Sequence, residues 1–567
     1  MAITIDLSQF ATNSDGSKNS NYPAGDKPGG EPNAPSGFSV SYLSDTSLSL
    51  SWTDNSDNEL NFELDRSPNG VDTWTSLSDP AANATSATDT GLTVDTTYYY
   101  RLRAVNASGN SAYVTANGTT TAPSADYALE IIQPRASLST TNRFYKQYPG
   151  VEYNVRLGVI GGVYPFTYSL TTKPTGMTID ANTGEITWTN PVEAGSPHSI
   201  TAQVTDDAGS TQSVSWTLTV TTSGFKFVDS VSGNDANAGT LAAPWQTLSK
   251  ISDANVDDFI YFRAGSYTAP VISEVWDGAT EAAVWMAYPG ETVNFDFSNN
   301  GYSFYNVSNK LYIDGFTINL NSNAGQRGFS YVGSQSNITF RRNTFSGLLN
   351  GGSNTNPSYI FSMASSSPGD YTVLQDNAAT NGSNAYFFLG YSNNDVLIED
   401  NSITGFTGTG AGAISPKDGN GYWVMRGNTL DVAGTGINIQ GYDSRGVGRG
   451  PQVIEFNNIE AGTVFAVNSD VQDEPVIVDR NTFRGRFYVR PKTVNNGPYT
   501  FSKNVIINDN DAGYTDRILI GPEGDLGVVN YDDNLVGVTS DSIVDANGDL
   551  QGAYRTTYLG THGYEVS

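Results

Sequence analysis

Val476-Ile477-Val478-Asp479-Arg480-Asn481-Thr482-Phe483 has counterparts elsewhere in the chain. Phe340-Arg341-Arg342-Asn343-Thr344-Phe345 and Val453-Ile454-Glu455-Phe456-Asn457-Asn458-Ile459 set an asparagine in the same frame, with an apolar residue three positions before it and another two after. The frame returns at Asn377, Asn401, Asn428, Asn504 and Asn534. From Asn343 to Asn534 the steps are 34, 24, 27, 29, 24, 23 and 30 residues. Asn377 is the weakest member, with Ala379 at its second apolar site; Ile313, Phe316 and Ile318 keep the frame without the asparagine.

A period of about 20 to 50 residues with short β-branched runs marks a solenoid, and several strands per repeat mark a parallel β-helix. Coils stack about 4.8 Å apart, so equal offsets fall in line along the axis. The asparagines are then expected to form a buried ladder, each amide accepting from one coil and donating to another. The expected fold is all-β: a right-handed parallel β-helix preceded by two β-sandwich domains.

Composition agrees with that class. The chain has 567 residues, only 15% charged, with 59 Gly and 32 Tyr. That length calls for about three or four domains. The net charge of −29 argues against a nucleic-acid partner. With no cysteine, disulfides, thiolate metal sites and a thiol nucleophile are excluded; only His198 and His562 offer imidazoles. No run of about 18 apolar residues is available to insert in a membrane. The first ten residues lack the basic and apolar regions of a secretory signal. Either a signal has been lost from the start of the sequence, or export follows another route, such as lysis inside a virus particle.

Residues 1–33 begin with alternating Ile3, Ile5 and Leu7 and end in a Pro/Gly-rich tract, which reads either as a docking peptide that adds to a neighbour's sheet edge, followed by a linker, or as a frayed terminus. Residues 34–123 carry Trp52 in an alternating strand and the run from Gly91 to Ala104. They resemble the fibronectin type III family, which implies a tyrosine corner at Tyr98, six residues after Leu92. Residues 127–222, with Tyr164-Pro165-Phe166, Gly184-Glu185-Ile186-Thr187-Trp188 and Asp206-Asp207-Ala208-Gly209, resemble the bacterial putative-Ig or cadherin-like module. Asp206 and Asp207 are either Ca²⁺ ligands between modules or the turn of a hairpin; no other cofactor is expected. Residues 225–538 open with Phe227-Val228-Asp229 and Pro244-Trp245-Gln246-Thr247-Leu248. That opening resembles pectate-lyase-like β-helix proteins and implies a first strand plus a short helix capping the solenoid. Asp229 and Asp235 read as turn residues or cation ligands. Residues 539–567 form a polar tail with no recognisable trimerisation element, although a homo-oligomer stays open.

Inward offsets of a β-helix are structural, so chemistry is expected on outward residues of the strands after each asparagine and in the loops. Arg480, Arg484, Arg486, Arg490 and Lys492 gather five of the 29 basic residues into thirteen positions. With Tyr442, Asp443, Arg445, Arg449 and Tyr488 they suit an anionic glycan, through guanidinium forks on carboxylates and rings on sugars. The alternative is that they pair with neighbouring carboxylates. Ile414-Ser415-Pro416-Lys417-Asp418, followed by Arg426, resembles the Ser-x-Lys stretch of β-helical alginate and chondroitin lyases; the match implies Lys417 as base, and the Arg-His-Gly segment of those families is missing. A glycosidase would need two carboxylates about 5 to 9.5 Å apart, for which Asp443, Asp470, Asp473 and Glu474 are available.

The architecture looks most like a structural protein on the virion surface of a tailed bacteriophage: a tail fibre, tailspike or capsid-decorating appendage that meets bacterial surface polysaccharide. The rival is an extracellular polysaccharide lyase or glycoside hydrolase with accessory modules.

Overall fold

Each repeat turns the chain at the residue before its asparagine. Arg342, Asp376, Asp400, Phe456, Arg480 and Lys503 all adopt left-handed φ between 51° and 57°, and Gly315 and Gly427 take the same place with φ of 86° and 66°. The computed structural model describes residues 30–44, 47–93, 96–120, 127–135, 143–253, 258–268, 283–297, 302–305, 311–320, 327–332, 337–347, 358–364, 369–382, 385–391, 393–407, 412–417, 422–441, 451–469, 475–489, 499–507, 518–520, 529–532 and 535–537.

That corner separates two parallel sheets. Strands before the asparagine, such as Ile338–Arg341, Trp423–Arg426 and Val476–Asp479, belong to a sheet of 12 strands among the described residues, here sheet A. Strands after it, such as Thr344–Ser346, Thr429–Gly441 and Thr482–Val489, belong to sheet B, with 17. The chain is thus all-β, two sandwiches followed by a parallel β-solenoid, as its repeats predict. Phe340, Ile398, Met425, Ile454 and Val478 face inward from sheet A and Phe345, Ile403, Leu430, Ile459 and Phe483 from sheet B, all fully buried in one continuous core.

The ladder is present. Asn343, Asn377, Asn401, Asn428, Asn457, Asn481 and Asn504 are at most 1% exposed. From Asn343 to Asn481, each asparagine donates its backbone N–H and its side-chain Nδ2 to Oδ1 of the next, at 2.9–3.1 Å. Each Nδ2 also reaches a carbonyl of the preceding coil, as Asn457 does to Met425 O at 2.9 Å. Phe316 closes the first end by donating its N–H to Asn343 Oδ1. Asn534 lies outside the described residues.

Residues 240–253 cover the edge of the first coil. Trp245 bridges the edge of Phe225–Val228, its N–H reaching Phe227 O and its O accepting from Asp229 N. The 3-10 turn Leu248–Asp253 sets Leu248 and Ile251 against the core. This pairing removes an open sheet edge.

The fibronectin-like unit, within Met1–Ser124, has its own core around Leu50, Trp52, Phe62 and Leu102. Its tyrosine corner is formed, Thr93 N–H donating to Tyr98 Oη at 2.9 Å. The second sandwich, by contrast, belongs to one compact unit with the solenoid, Ala125–Ser567.

Candidate functional site

In a solenoid with a solvated outer face, sheet A strands should alternate buried and exposed. Leu311–Asp314, Ile338–Arg341 and Trp423–Arg426 are instead buried at all four positions. The second sandwich covers the outer face. Val373, Leu397, Val424 and Val453, in line across consecutive coils, pack against Ile132 and Ile160 of the sandwich. Two residues further along each strand runs a second outward column: Asp314, Arg341, Gln375, Glu399, Arg426, Glu455 and Asp479.

This polar column meets matching groups on the sandwich. Arg156 closes on three carboxylates, Asp376 Oδ1 at 2.5 Å, Asp400 Oδ2 at 2.5 Å and Glu399 Oε2 at 3.3 Å. Arg341 reaches Glu185 at 2.7 Å and Asn154 Oδ1 at 2.6 Å. Arg426 holds Glu399 at 2.7 Å and Glu455 at 3.2 Å, donates to Val159 O at 3.0 Å and lies 4.7 Å beneath the rings of both Tyr164 and Phe166. Gln375 donates to Leu157 O, and Gln133 of the sandwich to Thr339. Buried ion pairs are poor sources of net stability, because desolvation offsets their attraction. Their consequence here is register: an apolar seam alone would slide along the coils, whereas a one-coil slip would set Arg156 against Arg426.

The electrostatics follow from crowding. Full burial pushes the Glu399 carboxyl up, but Arg156, Arg426 and the Gln375 amide outweigh it and hold the group below the usual range. Partial loss of hydration drives Asp400 up to about 6 although its side chain is still 38% exposed; Arg156 opposes this and the neighbouring Glu399 adds to it. Glu455 is raised by burial beyond what Arg426 recovers. Desolvation weighs against the charge of Arg426, yet Glu399 and Glu455 raise it well above its ordinary value.

Among the described residues, the sequence-predicted Lys417 and Arg426 lie on different sheets. Arg426, a catalytic candidate in the sequence, is 1% exposed and held by Glu399 and Glu455 within the joint. Arg480, counted with the basic cluster, belongs to the same joint, paired with Asp479 at 2.9 Å and donating to Tyr164 O. Lys417 ends a sheet B strand, Gly412–Lys417, in register with Tyr391 and Gln440. Arg486 and Tyr488 lie in Thr482–Val489, in register with Thr463 and Ala466. Tyr442, Asp443, Arg445, Arg449, Arg490 and Lys492 lie outside the described residues, as do residues 1–29 of the docking peptide and the tail 539–567.

Asp206 stands at a hairpin, where its carboxylate accepts the N–H groups of Val163 and Ser210. Asp229 likewise accepts from Val231 and Ser232, and Asp235 from Gln246 and Thr247. Among the described residues no group of three or more metal-ligating side chains occurs.

Comparison with known proteins identifies both sandwiches. Residues 33–120 match the family model described as a fibronectin type III domain, and residues 131–221 match that of a putative Ig domain. The chain is similar to a solved structure titled "Crystal Structure of FN3tt", at 28% identity over 16% of this chain and 94% of that one, with a TM-score of 0.15. It is similar at 26% identity to the fn3 domain of human collagen alpha-1(XX), over 19% of this chain and 95% of that one, with a TM-score of 0.16. A β-1,2-glucanase from Parabacteroides distasonis matches at 21% identity over 16% of this chain and 13% of that one, with a TM-score of 0.14. No curated protein matches the chain.

Proposed function

We propose that this protein is a structural, non-catalytic appendage of a tailed-bacteriophage particle, whose solenoid contacts bacterial surface polysaccharide while residues 1–33 dock to other virion proteins. In this reading the solenoid is a right-handed coil of the pectate-lyase-like kind. The observation that carries the choice of adhesin over enzyme is the burial of Arg426. A uronate lyase needs a base and a cation on one carboxylate. Here Lys417 stands in sheet B and Arg426 beneath the sandwich on sheet A. A solenoid with one flank covered by a registered sandwich leaves its sheet B strands as the face for sugar contact. Many weak contacts of that kind add through copy number on a particle.

The test is incubation of the purified full chain with a panel of acidic bacterial polysaccharides, following unsaturated ends by ultraviolet absorbance, reducing ends, and retention on polysaccharide columns. Retention without new ends, weakened by Arg486→Ala or Arg490→Ala, is expected. Unsaturated ends that vanish in Lys417→Ala would make the protein a lyase and overturn the reading. Reducing ends alone would make it a hydrolase.

A further inference from the structure

The joint between the Ig-like sandwich and the solenoid carries more carboxylates than cations. Arg156 is 5% exposed in its side chain and serves Asp376, Glu399 and Asp400 together; Glu399 is shared with Arg426, which also serves Glu455. Two guanidiniums therefore face four carboxylates. Widening the count keeps the surplus: Arg341 holds Glu185 and also reaches Asp376 at 3.4 Å, Arg342 holds Asp314 at 2.8 Å, and four guanidiniums then face six carboxylates. From the sandwich, Tyr164 faces Asp400 and Tyr168 faces Glu399; both phenols stay neutral because burial raises them. Asp180 lies near Arg156 and adds a further negative charge. Asp376 and Glu399 face Asp400 from the solenoid side.

We propose that this joint is an acid-tightened clamp: the surplus carboxylate at Arg156, centred on Asp400, takes up a proton from mildly acidic solution, so that sandwich and solenoid hold together more firmly there than at neutral or alkaline pH. The sign follows from linkage. A carboxyl whose folded pKa lies above its unfolded value contributes stability that is full below the unfolded value and is lost as pH rises through the folded one. For Asp400 that window runs from 3.8 to about 6. Glu455 acts in the same sense. The Asp400 side chain is 38% exposed, so water screens part of the effect. The expected change is thus a looser joint, with the two parts still associated. The opposite limb belongs to Glu399 and Glu185, whose depressed values withdraw stability in stronger acid.

Hydrogen exchange of the full chain tests this, read at the peptide spanning residues 153–160 and corrected for intrinsic exchange, with the fibronectin-like module as internal reference. Opening of that peptide is expected to rise about tenfold between about pH 5 and about pH 8, with no change in the reference. Asp400→Asn fixes the protonated form and is expected to hold opening at its acid level throughout. A wild-type profile flat over that range, or an Asp400→Asn profile with the wild-type slope, would overturn the clamp. Should Asp400→Asn fold poorly, Glu455→Gln supplies a second arm, expected to reduce the slope.

Discussion

Asn428 gives two hydrogen bonds to one atom of the next coil: its backbone N–H and its Nδ2 both reach Asn457 Oδ1 at 2.9 Å. Asn457 in turn donates to Met425 O, to Glu455 O and to Asn481 Oδ1. Replacing Asn457 by alanine therefore strands a buried N–H and a buried carbonyl together. Each unsatisfied group costs about 1–3 kcal/mol, so Asn457→Ala is expected to lose about 3 kcal/mol or more, read from the urea midpoint. Asn457→Asp keeps the acceptor but turns a carboxylate toward two carbonyls, and should be worse at neutral pH than in acid. A loss below about 1 kcal/mol for the alanine variant would mean that water enters the ladder.

Gly427 occupies the left-handed corner where other coils accept Arg342, Phe456 or Lys503. Conformation alone therefore does not require glycine. The reason is Asp400: a Cβ on Gly427 would fall 2.0 Å from Asp400 Oδ1, and that oxygen belongs to a carboxylate held by Arg156. Gly427→Ala is expected to cost about 2 kcal/mol, from the left-handed penalty and the displaced carboxylate. In the Asp400→Ala background the cost should fall by about half, a coupling that a double-mutant cycle measures.

Arg426 separates a structural role from a catalytic one. Arg426→Leu removes the guanidinium that holds buried Glu455 and leaves Glu399 only its longer contact with Arg156; loss of one partner of such a pair costs about 3–5 kcal/mol. At a temperature where the variant is still folded, its retention on a polysaccharide column should match that of the wild type. A selective loss of retention with unchanged melting would return Arg426 to the ligand site.

The coil was legible because its signal is periodic: asparagine with apolar residues at −3 and +2 names the ladder, the corner and one inward residue on each sheet. The covered flank was written in the same strands and not read. In Val373-Leu374, Leu397-Ile398, Val424-Met425, Val453-Ile454 and Ile477-Val478 two apolar residues stand side by side, and neighbours on a strand face opposite ways. One of each pair must point outward, so something apolar must cover it. The outward column turns polar at Thr500, the next position in register after Ile477. Arg426 is ambiguous in sequence for a related reason: a cation after a Ser-x-Lys stretch reads the same whether it faces substrate or a second domain. Only the pairing partner decides, and Val159 and Glu399 are distant in sequence.

Glu185 supplies the acid limb of the pH profile. Burial raises its carboxyl, but Arg341 and the Asn154 amide outweigh that and leave it below its ordinary value of 4.5. A depressed carboxyl contributes stability that is present above the unfolded value and lost as pH falls through the folded one. Sandwich and solenoid should thus begin to separate below about pH 4.5. Glu185→Gln should reduce that limb, leaving the share of Glu399, and leave the loosening toward alkaline pH unchanged. Hydrogen exchange at residues 153–160 reads both limbs.

The joint also predicts how the chain melts. The fibronectin-like module closes its own core around Trp52 and Phe62, so a fragment of residues 30–124 should fold alone. The Ig-like sandwich has a complete core of its own around Tyr153, Trp188 and Trp216. Cut free as residues 127–222, however, it would expose Ile132 and Ile160 and leave Arg156 without its three carboxylates. The solenoid left behind would expose Val373, Leu397, Val424 and Val453, in line on one face. An apolar stripe of that kind drives association in water. Calorimetry of the full chain should therefore show one transition for the fibronectin-like module and a single shared transition for sandwich and solenoid. The solenoid without its sandwich should self-associate, an outcome sedimentation reads directly. Separate melting of sandwich and solenoid would mean that the joint adds little to either, and a monomeric solenoid fragment would mean that the apolar stripe is covered by other means.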